Sequence, residues 1–555
     1  MKEKIKIGIL VNDNLLPSWI ISMLENLANY PKCDLVIILN KDLGTGSNRG
    51  NFFSVFSKPD FLLYHFYRSV DRMIFSHSPD AYEQKLIERI SSLKNIPQIK
   101  VNWTLSDHTD INGIEELTEI QTYNFDFIIN FSSSFPPLSF YNYSKNGIWS
   151  YQVKGALLTS DSSPIIWDVF DRRNYRTNIK LIKQTIRNRS LISEIIMNVH
   201  YTVDKISLNR NINRTYWKVA KLLPQKIREY CENGAEVFNK SLQNLNVNPQ
   251  FSSGRYNSLK NIDFFVAFFR FSLALLISKL RRFYYFDQWI LLFRLGPESN
   301  DFSKFVKILP PQDRFYADPF IYKKGEDYYI FMEELIFKQN KGFISVLKID
   351  KNGNYKEPVK VLETDYHLSY PFLLEHKGEL YMIPESGDNK TIDLYRCFDF
   401  PLKWEYEMTL INNIKAFDST ILCHNGIFWL FTYIVPSDNR PLSQGLYIFF
   451  SDNLLSTKWK SHPLNPVVND GIFSRPGGDF FNFGKNIYRP SQDCSKRYGY
   501  GIKINKIIEL SETKYEERAV DSIYPDWDKK LVGVHHIRTL ENLRIIDAEI
   551  KRRRF

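Results

Sequence analysis

The feature that most limits the fold of this chain is a repeat in its C-terminal half. Four segments share one plan: a strand, a short turn with a glycine, and an aromatic-rich strand. The turn glycines are Gly325, Gly378, Gly426 and Gly484, about 50 residues apart. Two more strand-like stretches follow each hairpin, and a last hairpin, GVHHIRTLENLRIIDAEI, follows the fourth unit. Four strands per unit at this period predict a β-propeller.

The same repeat predicts the size of the propeller and how it closes. Five units fit between about residue 286 and residue 555. The stretch QWILLFRL lies just before the first unit, and it is suited to close the ring as an outer strand of the last blade. A sandwich or a solenoid fits the four-strand period less well. We therefore predict an all-β, five-bladed propeller.

The first part of the chain alternates strand-like and helix-like segments. KIKIGILV, CDLVIILN, FDFIINFSS and GIWSYQV are typical of strands, and LPSWIISMLENLANY of an amphipathic helix. This alternation predicts an α/β domain with a parallel, doubly wound, Rossmann-like sheet. Such sheets bind ligands at the carboxyl ends of their strands. No GxGxxG follows the first strand, so no dinucleotide cofactor is expected.

The chain therefore divides into three predicted parts. The α/β domain covers residues 1–235, a connecting region covers 236–285, and the propeller covers 286–555. Within the connecting region, residues 238–261 are rich in Asn and Ser, a composition typical of a linker. The rest of that region is expected to be an apolar and basic helix.

The helical segment is almost entirely apolar from Phe264 to Leu280, with Arg270 at its centre. A clean membrane-spanning helix should not carry an unpaired arginine there. Two interpretations stay open. The segment packs between the domains, or it contacts a membrane surface through residues 262–282. In the second case the lipid headgroups face three basic residues: Lys279, Arg281 and Arg282.

Charge and cysteine content argue against several classes of protein. The net charge is +11, but no nucleic-acid recognition motif accompanies it, so a nucleic-acid partner is not expected. The five cysteines are scattered without a CxxC pair, which argues against a disulfide framework and a zinc site. The N-terminal residues resemble a strand more than a signal peptide. We expect a cytoplasmic protein, at most peripheral to the inner face of a membrane, with no metal and no cofactor.

The repeat also predicts a site. In a propeller the first strand of each blade lines the central channel, so equivalent positions converge on the axis. These positions hold Asp318, Tyr370, Asp418, the Arg475–Asp479 turn, and His535 with His536. Second strands end in further polar residues: Glu333, Glu334, Glu385, Gln492 and Asp493.

Paired carboxylates are the minimum that glycosyl chemistry needs, one as acid and one as base or nucleophile. Asp before Pro is also a common turn starter, and Asp418 before Ser is suited to cap a turn. Recurrence of acids at equivalent positions favours function over turn formation. The predicted substrate-binding residues are Glu334, His367, Tyr370, Arg475, Arg489, Gln492, Asp493 and His536.

Several motifs resemble a known family. FYADPFIY, HLSYPFLLEHKGELYMIPES, DLYRCFDFPLKW, FDSTIL and YRPSQDC resemble the N-terminal domain of plant glucosamine inositolphosphorylceramide transferases and its bacterial relatives. That domain is similar to the five-bladed propellers of furanosidase-type glycoside hydrolases. The resemblance implies that Asp318 is the first-blade acid, Asp418 the third-blade acid, and Glu385 the proton donor.

The N-terminal part resembles the methionyl-tRNA formyltransferase fold through GIWSYQVKG and the following SPIIWDVF. The family has Asn-x-His, or a His-His-Gly-Asp variant, at the loop that here is Ser150 to Gly155. Its later Asp-x-Gly segment falls near RSLISEII, which has neither residue. The resemblance therefore implies a degenerate domain that binds or scaffolds.

Three functions remain after this comparison of motifs. The first is a bacterial carbohydrate-active protein of surface polysaccharide or glycoconjugate biosynthesis, whose propeller takes a sugar or sugar-nucleotide, with glycosyl transfer favoured over hydrolysis. The second is a formyl- or acyltransferase acting on a nucleotide-linked amino sugar, with the propeller as recognition module. The third is a non-catalytic scaffold at the membrane face.

Overall fold

A computed structural model describes residues 4–40, 62–101, 117–153, 156–159, 165–170, 176–187, 190–242, 261–297, 301–435 and 445–554. The chain forms two compact units, Met1–Leu275 and Leu276–Phe555. Most of the predicted linker lies outside the described residues, because residues 243–260 are not among them.

Unit 1 is built on a mixed sheet with strand order β10-β9-β7-β6-β1-β3-β5, and β8 pairs with β7. Its strands are β1 (Ile5–Val11), β2 (Leu15–Pro17), β3 (Cys33–Asn40), β4 (Gln84–Leu86), β5 (Gln98–Val101), β6 (Phe127–Asn130), β7 (Ile148–Val153), β8 (Ala156–Leu157), β9 (Arg176–Arg187) and β10 (Ser190–Thr202). The strands from β7 to β5 pair in parallel, whereas β9 and β10 pair antiparallel. A separate two-stranded ribbon joins β2 and β4.

The parallel core follows from the apolar strands that the sequence predicts. In β1 the residues from Ile7 to Val11 are buried, because strands flank β1 on both edges and helices cover both faces of the sheet. The helices are α1 (Ser18–Ala28), α2 (Leu62–Ile74), α3 (Leu117–Tyr123), α4 (Ile165–Phe170), α5 (Leu208–Leu242) and α6 (Asn261–Tyr284). The start of the predicted connecting region, residues 236–242, continues α5, and α6 corresponds to the predicted apolar and basic helix.

Unit 2 is a five-bladed β-propeller, as the repeat predicts. Blade 1 has β13 (Arg314–Lys324), β14 (Asp327–Ile336), β15 (Lys341–Ile349) and β16 (Val359–Leu362), and blade 2 has β17 (Ser369–His376), β18 (Glu379–Glu385), β19 (Thr391–Asp399) and β20 (Lys403–Asn412). Blade 3 has β21 (Ala416–His424), β22 (Ile427–Ile434), β23 (Gly445–Ser451) and β24 (Lys460–Ser461). Blade 4 has β25 (Arg475–Pro476), β26 (Phe481–Phe483), β27 (Asn486–Asp493), β28 (Gly501–Leu510) and β29 (Tyr515–Ile523).

Blade 5 combines residues from both ends of the unit and thereby closes the ring. It contains β30 (Leu531–Gly533), β31 (Ile537–Leu540), β32 (Leu543–Arg553), β11 (Tyr285–Leu295) and β12 (Val306–Ile308). Strand β11 pairs with β32 along its whole length, which confirms that QWILLFRL closes the ring. The outermost strand of the blade, however, is β12, because it pairs with the free side of β11.

The first strands of blades 1, 2 and 3 share a bulge. Asp318, Tyr370 and Asp418 have φ angles of 51°, 45° and 53°, in the left-handed region that residues other than glycine seldom adopt. The pairing register of each strand with its neighbour shifts at this point. A bulge re-aims the side chain of its extra residue, and such bulges are common beside active sites. The same β-bulge therefore presents three different side chains at equivalent positions of three blades.

Candidate active site on the propeller axis

The bulged residues meet side chains from the other blades on the propeller axis. The Tyr370 hydroxyl donates to the Gly478 carbonyl at 3.1 Å and lies 2.9 Å from Thr420 Oγ1. The Tyr370 ring packs against Phe320 and His536, with centroid distances of 4.9 and 5.3 Å. These contacts join blades 1, 2, 3, 4 and 5, so the predicted convergence of first-strand positions is present.

Asp318 faces a buried histidine from blade 5. His535 Nε2 lies 3.1 Å from Asp318 Oδ1, and His535 Nδ1 lies 3.0 Å from Asp547 Oδ2. Asp547 also accepts the backbone N–H groups of His535 and His536. Burial lowers the pKa of His535, but the Asp547 and Asp318 carboxylates outweigh it and raise this pKa well above its usual range. We infer an imidazolium between two carboxylates.

Among the described residues, the same three also form the one group whose ligand atoms are close enough to hold a metal ion, within 4.8 Å of one another. Both ring nitrogens of His535 already face carboxylates at ion-pair distance. The imidazolium thus offsets one of the two carboxylate charges of this cluster.

A second acidic centre contains Glu385 and Asp418, whose carboxyl groups are close enough to affect each other's pKa. Burial and the adjacent Asp418 raise the pKa of Glu385 well above its usual range, and Arg475 opposes them. Burial raises the pKa of Asp418 as well, and Arg475 again opposes it. Glu385, whose pKa is raised by both burial and Asp418, is therefore the carboxyl group of this pair that favours the protonated form.

Basic and amide groups fix the Asp418 carboxyl group. The Arg475 Nε–H donates to Asp418 Oδ2, and the Gln492 side-chain amide donates to the same oxygen at 3.0 Å. Gln492 also donates to the Pro476 carbonyl at 2.8 Å. Arg475 Nη2 lies 3.8 Å from Glu385 Oε2, so one guanidinium serves both carboxyl groups. The predicted residues Glu385, Asp418, Arg475 and Gln492 thus form one network.

Aromatic rings and a histidine surround this network. The Arg475 guanidinium carbon lies 4.8 Å from the centroid of the exposed Tyr498 ring and 5.4 Å from that of Phe417. On the blade 1 side, His367 Nε2 lies 3.2 Å from Glu333 Oε1. Tyr498 is accessible, so the site opens to solvent beside Arg475 on a surface suited to stack a sugar ring.

Three predicted substrate-binding residues bind other parts of the propeller instead. Glu334 accepts from Arg314 Nη1 and from the Ser345 hydroxyl, both at 2.7 Å. Arg489 forms a two-pronged ion pair with Glu517, at 2.8 and 2.6 Å. Asp493 accepts from the Tyr524 hydroxyl and the Ser495 backbone N–H. None of these contacts involves a residue of the axial network described above.

His536 and Tyr370 lie on the axis but are fully buried. Burial lowers the pKa of His536 to about 3, so its ring is neutral and packs against Phe320 at 4.6 Å. Both residues therefore belong to the buried part of the site.

Two residues of the site were not predicted: Asp547 and Tyr498. In blade 5, Glu549 pairs with Gly533 as Glu385 pairs with Ser369 and Gln492 with Arg475. Asp547 lies two residues before Glu549 in β32, so the register of the repeat alone does not find it. Tyr498 lies in a loop after β27, and no repeated signal marks it.

Unit 1 contains a separate cleft of about 280 Å³. Its edge is formed by Asn12, which follows β1, and Ser133, which follows β6. These strands are neighbours in the sheet, and the chain leaves them toward opposite sides, which is where open α/β sheets bind ligands. The walls are mostly apolar, and they include aromatic rings and one guanidinium: Trp19, Tyr64, Arg68, Tyr82, Phe131 and Tyr216.

Comparison with known proteins gives a match for the propeller part. Residues 308–539 match the family described as "Glucosamine inositolphosphorylceramide transferase 1, N-terminal". The protein of that name from Arabidopsis thaliana is 37% identical over 206 residues, which are 37% of this chain and 27% of that protein. Its counterpart from Oryza sativa subsp. japonica is 34% identical over 210 residues, or 37% of this chain and 28% of that protein. This chain thus spans little more than a quarter of these relatives.

Solved structures similar to the chain have low overall scores. A family 117 glycoside hydrolase of Zobellia galactanivorans has a TM-score of 0.32 at 13% identity, covering 48% of this chain and 90% of that one. The arabinanase Arb43A of Bacillus subtilis has a TM-score of 0.31 at 14% identity, covering 43% and 93%. The similarity in sequence confirms the resemblance that the propeller motifs predict: residues 308–539 are similar to the N-terminal part of the glucosamine inositolphosphorylceramide transferases.

Proposed function

We propose that this protein transfers a sugar from a nucleotide-linked donor, with the propeller axis as its active site. The relatives of the propeller are named as glucosamine inositolphosphorylceramide transferases. This name favours an aminosugar donor and a glycolipid-type acceptor over a hydrolytic reaction. The accessible Tyr498 ring and the Arg475 guanidinium beside it suit a sugar that carries an anionic group.

One observation carries this proposal: the axis holds two carboxyl groups with different partners. Burial and Asp418 raise the pKa of Glu385 well above its usual range, so Glu385 keeps its proton. Asp318 lies 3.1 Å from Nε2 of the His535 imidazolium. Glycosyl chemistry needs this division, with one carboxyl group that gives a proton and another that takes one.

The roles follow from these contacts. Glu385 gives its proton to the phosphate oxygen that leaves the donor sugar as the bond between them breaks, and the acceptor oxygen forms the new bond to the sugar. Asp318 takes the proton from the acceptor hydroxyl, while His535 and Asp547 hold its position. Asp418 touches Glu385 rather than the open site, and it sets the proton affinity of that acid.

The proposal is tested with Asp318→Asn and Glu385→Gln in the full chain. Each should lower turnover by roughly 10² to 10⁴-fold, because each removes one proton transfer. UDP-N-acetylglucosamine and UDP-glucose serve as donors with UDP release as readout, and nitrophenyl glycosides report hydrolysis. A matched control is Asp393→Asn, a buried blade 2 acid that accepts from Thr391 and Thr409 away from the axis. Full activity in both axial variants would refute a catalytic propeller.

A second candidate function rests on the cleft of unit 1. A formyl- or acyltransferase acting on a nucleotide-linked amino sugar would use this cleft, with the propeller as recognition module. Asn12 supports ligand binding there, because its side-chain oxygen is buried without a hydrogen-bond partner among the described residues. Of the residues in the predicted loop, Gln152 is buried in β7 and bonds Ser150, and Lys154 lies outside the described residues.

The two candidates need separate assays, because formyl or acyl transfer to a nucleotide-linked amino sugar releases no UDP; formyl transfer from a folate donor is therefore measured beside UDP release. If Arg68→Gln abolishes turnover while Asp318→Asn does not, the cleft is the active site. A chain that keeps its role in the cell with both substitutions is a scaffold.

A further inference from the structure

Helix α6 presents a broad apolar surface to solvent. Phe265 is 56% exposed and Phe269 is 59% exposed, although soluble proteins seldom leave such rings in water. Other large apolar side chains of the helix are exposed as well: Ile262, Val266, Phe268, Leu273, Leu276, Ile277, Leu280, Phe283 and Tyr284. At 3.6 residues per turn, all but Phe268 fall in one stripe roughly 120° wide. Phe264, on the opposite side, is buried.

Helix α2 packs beside the start of α6 and has exposed apolar side chains of its own. The Asn261 side chain accepts the Leu63 backbone N–H at 3.1 Å, and Phe264 packs against the Tyr64 and Tyr67 rings at 6.0 and 5.6 Å. The start of α6 is therefore fixed on α2 by its buried side. Four large apolar side chains of α2 are exposed: Leu63, Phe66, Met73 and Ile74. Helix α2 thus adds exposed apolar side chains beside the start of α6.

Charge identifies what this surface fits. From Phe264 to Tyr284 the sequence has no Asp or Glu. Arg270 and Arg281 lie along one edge of the apolar stripe and Lys279 along the other, and all three are exposed. Cations at both edges of an apolar face match a layer of anionic headgroups above acyl chains. A second copy of the helix would bring like charges together along both edges.

The helix does not cross a membrane: among the described helices, none is long and apolar enough to do so. A helix that is too polar to span, yet apolar along one face, lies in the plane of the interface.

We propose that α2 and α6 form a docking surface for an anionic lipid bilayer. The apolar stripe enters the boundary between headgroups and acyl chains, and Arg270, Lys279 and Arg281 bind lipid phosphates. This surface holds the protein at the membrane whichever reaction the propeller carries out. It would place the propeller close to an acceptor that is itself a lipid.

The test is flotation of the full chain with vesicles. We expect binding to vesicles of phosphatidylcholine mixed with phosphatidylglycerol, weaker binding at high salt, and little binding to phosphatidylcholine alone. Phe265→Gln with Phe269→Gln should reduce the bound fraction at least about tenfold. Lys279→Gln and Arg281→Gln should each reduce the partition coefficient about fivefold. The matched control is Phe483→Gln in blade 4, where the ring is 72% exposed and should not matter.

Several results would overturn the proposal. One is a wild-type chain that stays off the anionic vesicles, and another is unchanged flotation of the Phe265→Gln, Phe269→Gln variant. Equal binding to neutral vesicles would refute the role of the cations. Sedimentation without lipid tests whether a second copy of the chain covers this surface instead. A wild-type dimer that does not bind vesicles, and that the double variant dissociates, would identify a second copy. Circular dichroism of each variant checks that its helix content equals that of the wild-type chain.

Discussion

At the scale of single residues, the axial site depends on where charge is neutralised. Arg475 binds Asp418 and lies near Glu385, while His535 lies between Asp318 and Asp547. Each acidic centre thus has a cation of its own. In the proposed reaction, these two basic side chains hold in place the carboxyl groups that give and take the proton.

Asp418→Asn should shift the pH dependence of activity as well as lower the rate. The reaction needs protonated Glu385, so kcat/KM should fall as the pH rises through the raised pKa of Glu385. Asp418 is one cause of that raised pKa, and it also neutralises Arg475. Its replacement removes both effects and lowers the pKa. The falling limb of the kcat/KM profile should therefore move to lower pH.

The pH–rate profile of the residual activity measures this shift, with Asp393→Asn again as the control. An unmoved falling limb would mean that Glu385 is not the acid, or that Asp418 does not set its proton affinity.

At the scale of elements, the ring depends on β11, a strand from outside the sequential blade order. Leu291 in this strand is fully buried and lies between Ile308 of β12 and Asp547 of β32. The strand that closes the ring thus pairs with the strand that carries a site residue. A substitution that weakens the closure of the ring should therefore lower activity, even though it changes no side chain of the site.

Leu291→Pro should open the ring. Proline removes a ladder hydrogen bond from a central strand and also loses the packing of a buried leucine, so we expect a loss of more than about 3 kcal/mol in unfolding free energy. Denaturant unfolding measures this loss, and activity should fall with it. Val306→Pro in the edge strand β12 is the control, since edge strands tolerate proline better. Equal effects of the two substitutions would contradict a special role for β11.

At the scale of the whole molecule, each compact unit has cores of its own. One large cluster of buried side chains joins β1, β3, α1 and α5 within unit 1, and other clusters lie between the blades of unit 2. Separate cores allow separate unfolding. We therefore expect more than one transition when the chain is heated in a calorimeter.

Glu517→Ala should shift only the propeller transition. It leaves the buried Arg489 guanidinium without its carboxylate, which typically costs about 3–5 kcal/mol. The transition of unit 1 should stay in place. The control, Glu326→Ala, breaks the exposed pair with Lys351 and should move neither transition. A joint shift of all transitions in Glu517→Ala would show that the chain unfolds as one cooperative body.

The sequence predicts the blades well, because turn glycines and strand alternation are local signals. It predicts the site less completely, and Glu333 and Glu334 show why. These neighbours alternate across the strand, so one faces His367 on the axis side and the other faces Arg314 and Ser345. Only the pairing register decides which is which. Arg489 is similar, because its partner Glu517 belongs to the next strand but one, and no local pattern joins them.

The order in which blade 5 acquires its strands has a consequence for synthesis. A ribosome releases β11 early, but its partner β32 emerges only after four other blades. Until then β11 has an unpaired edge, and Asp318 lacks both His535 and Asp547. A nascent chain interrupted before His535 would thus carry most of the propeller but only Asp318 of these three residues. Emergence of the last blade, rather than folding of any of the first four, completes this cluster.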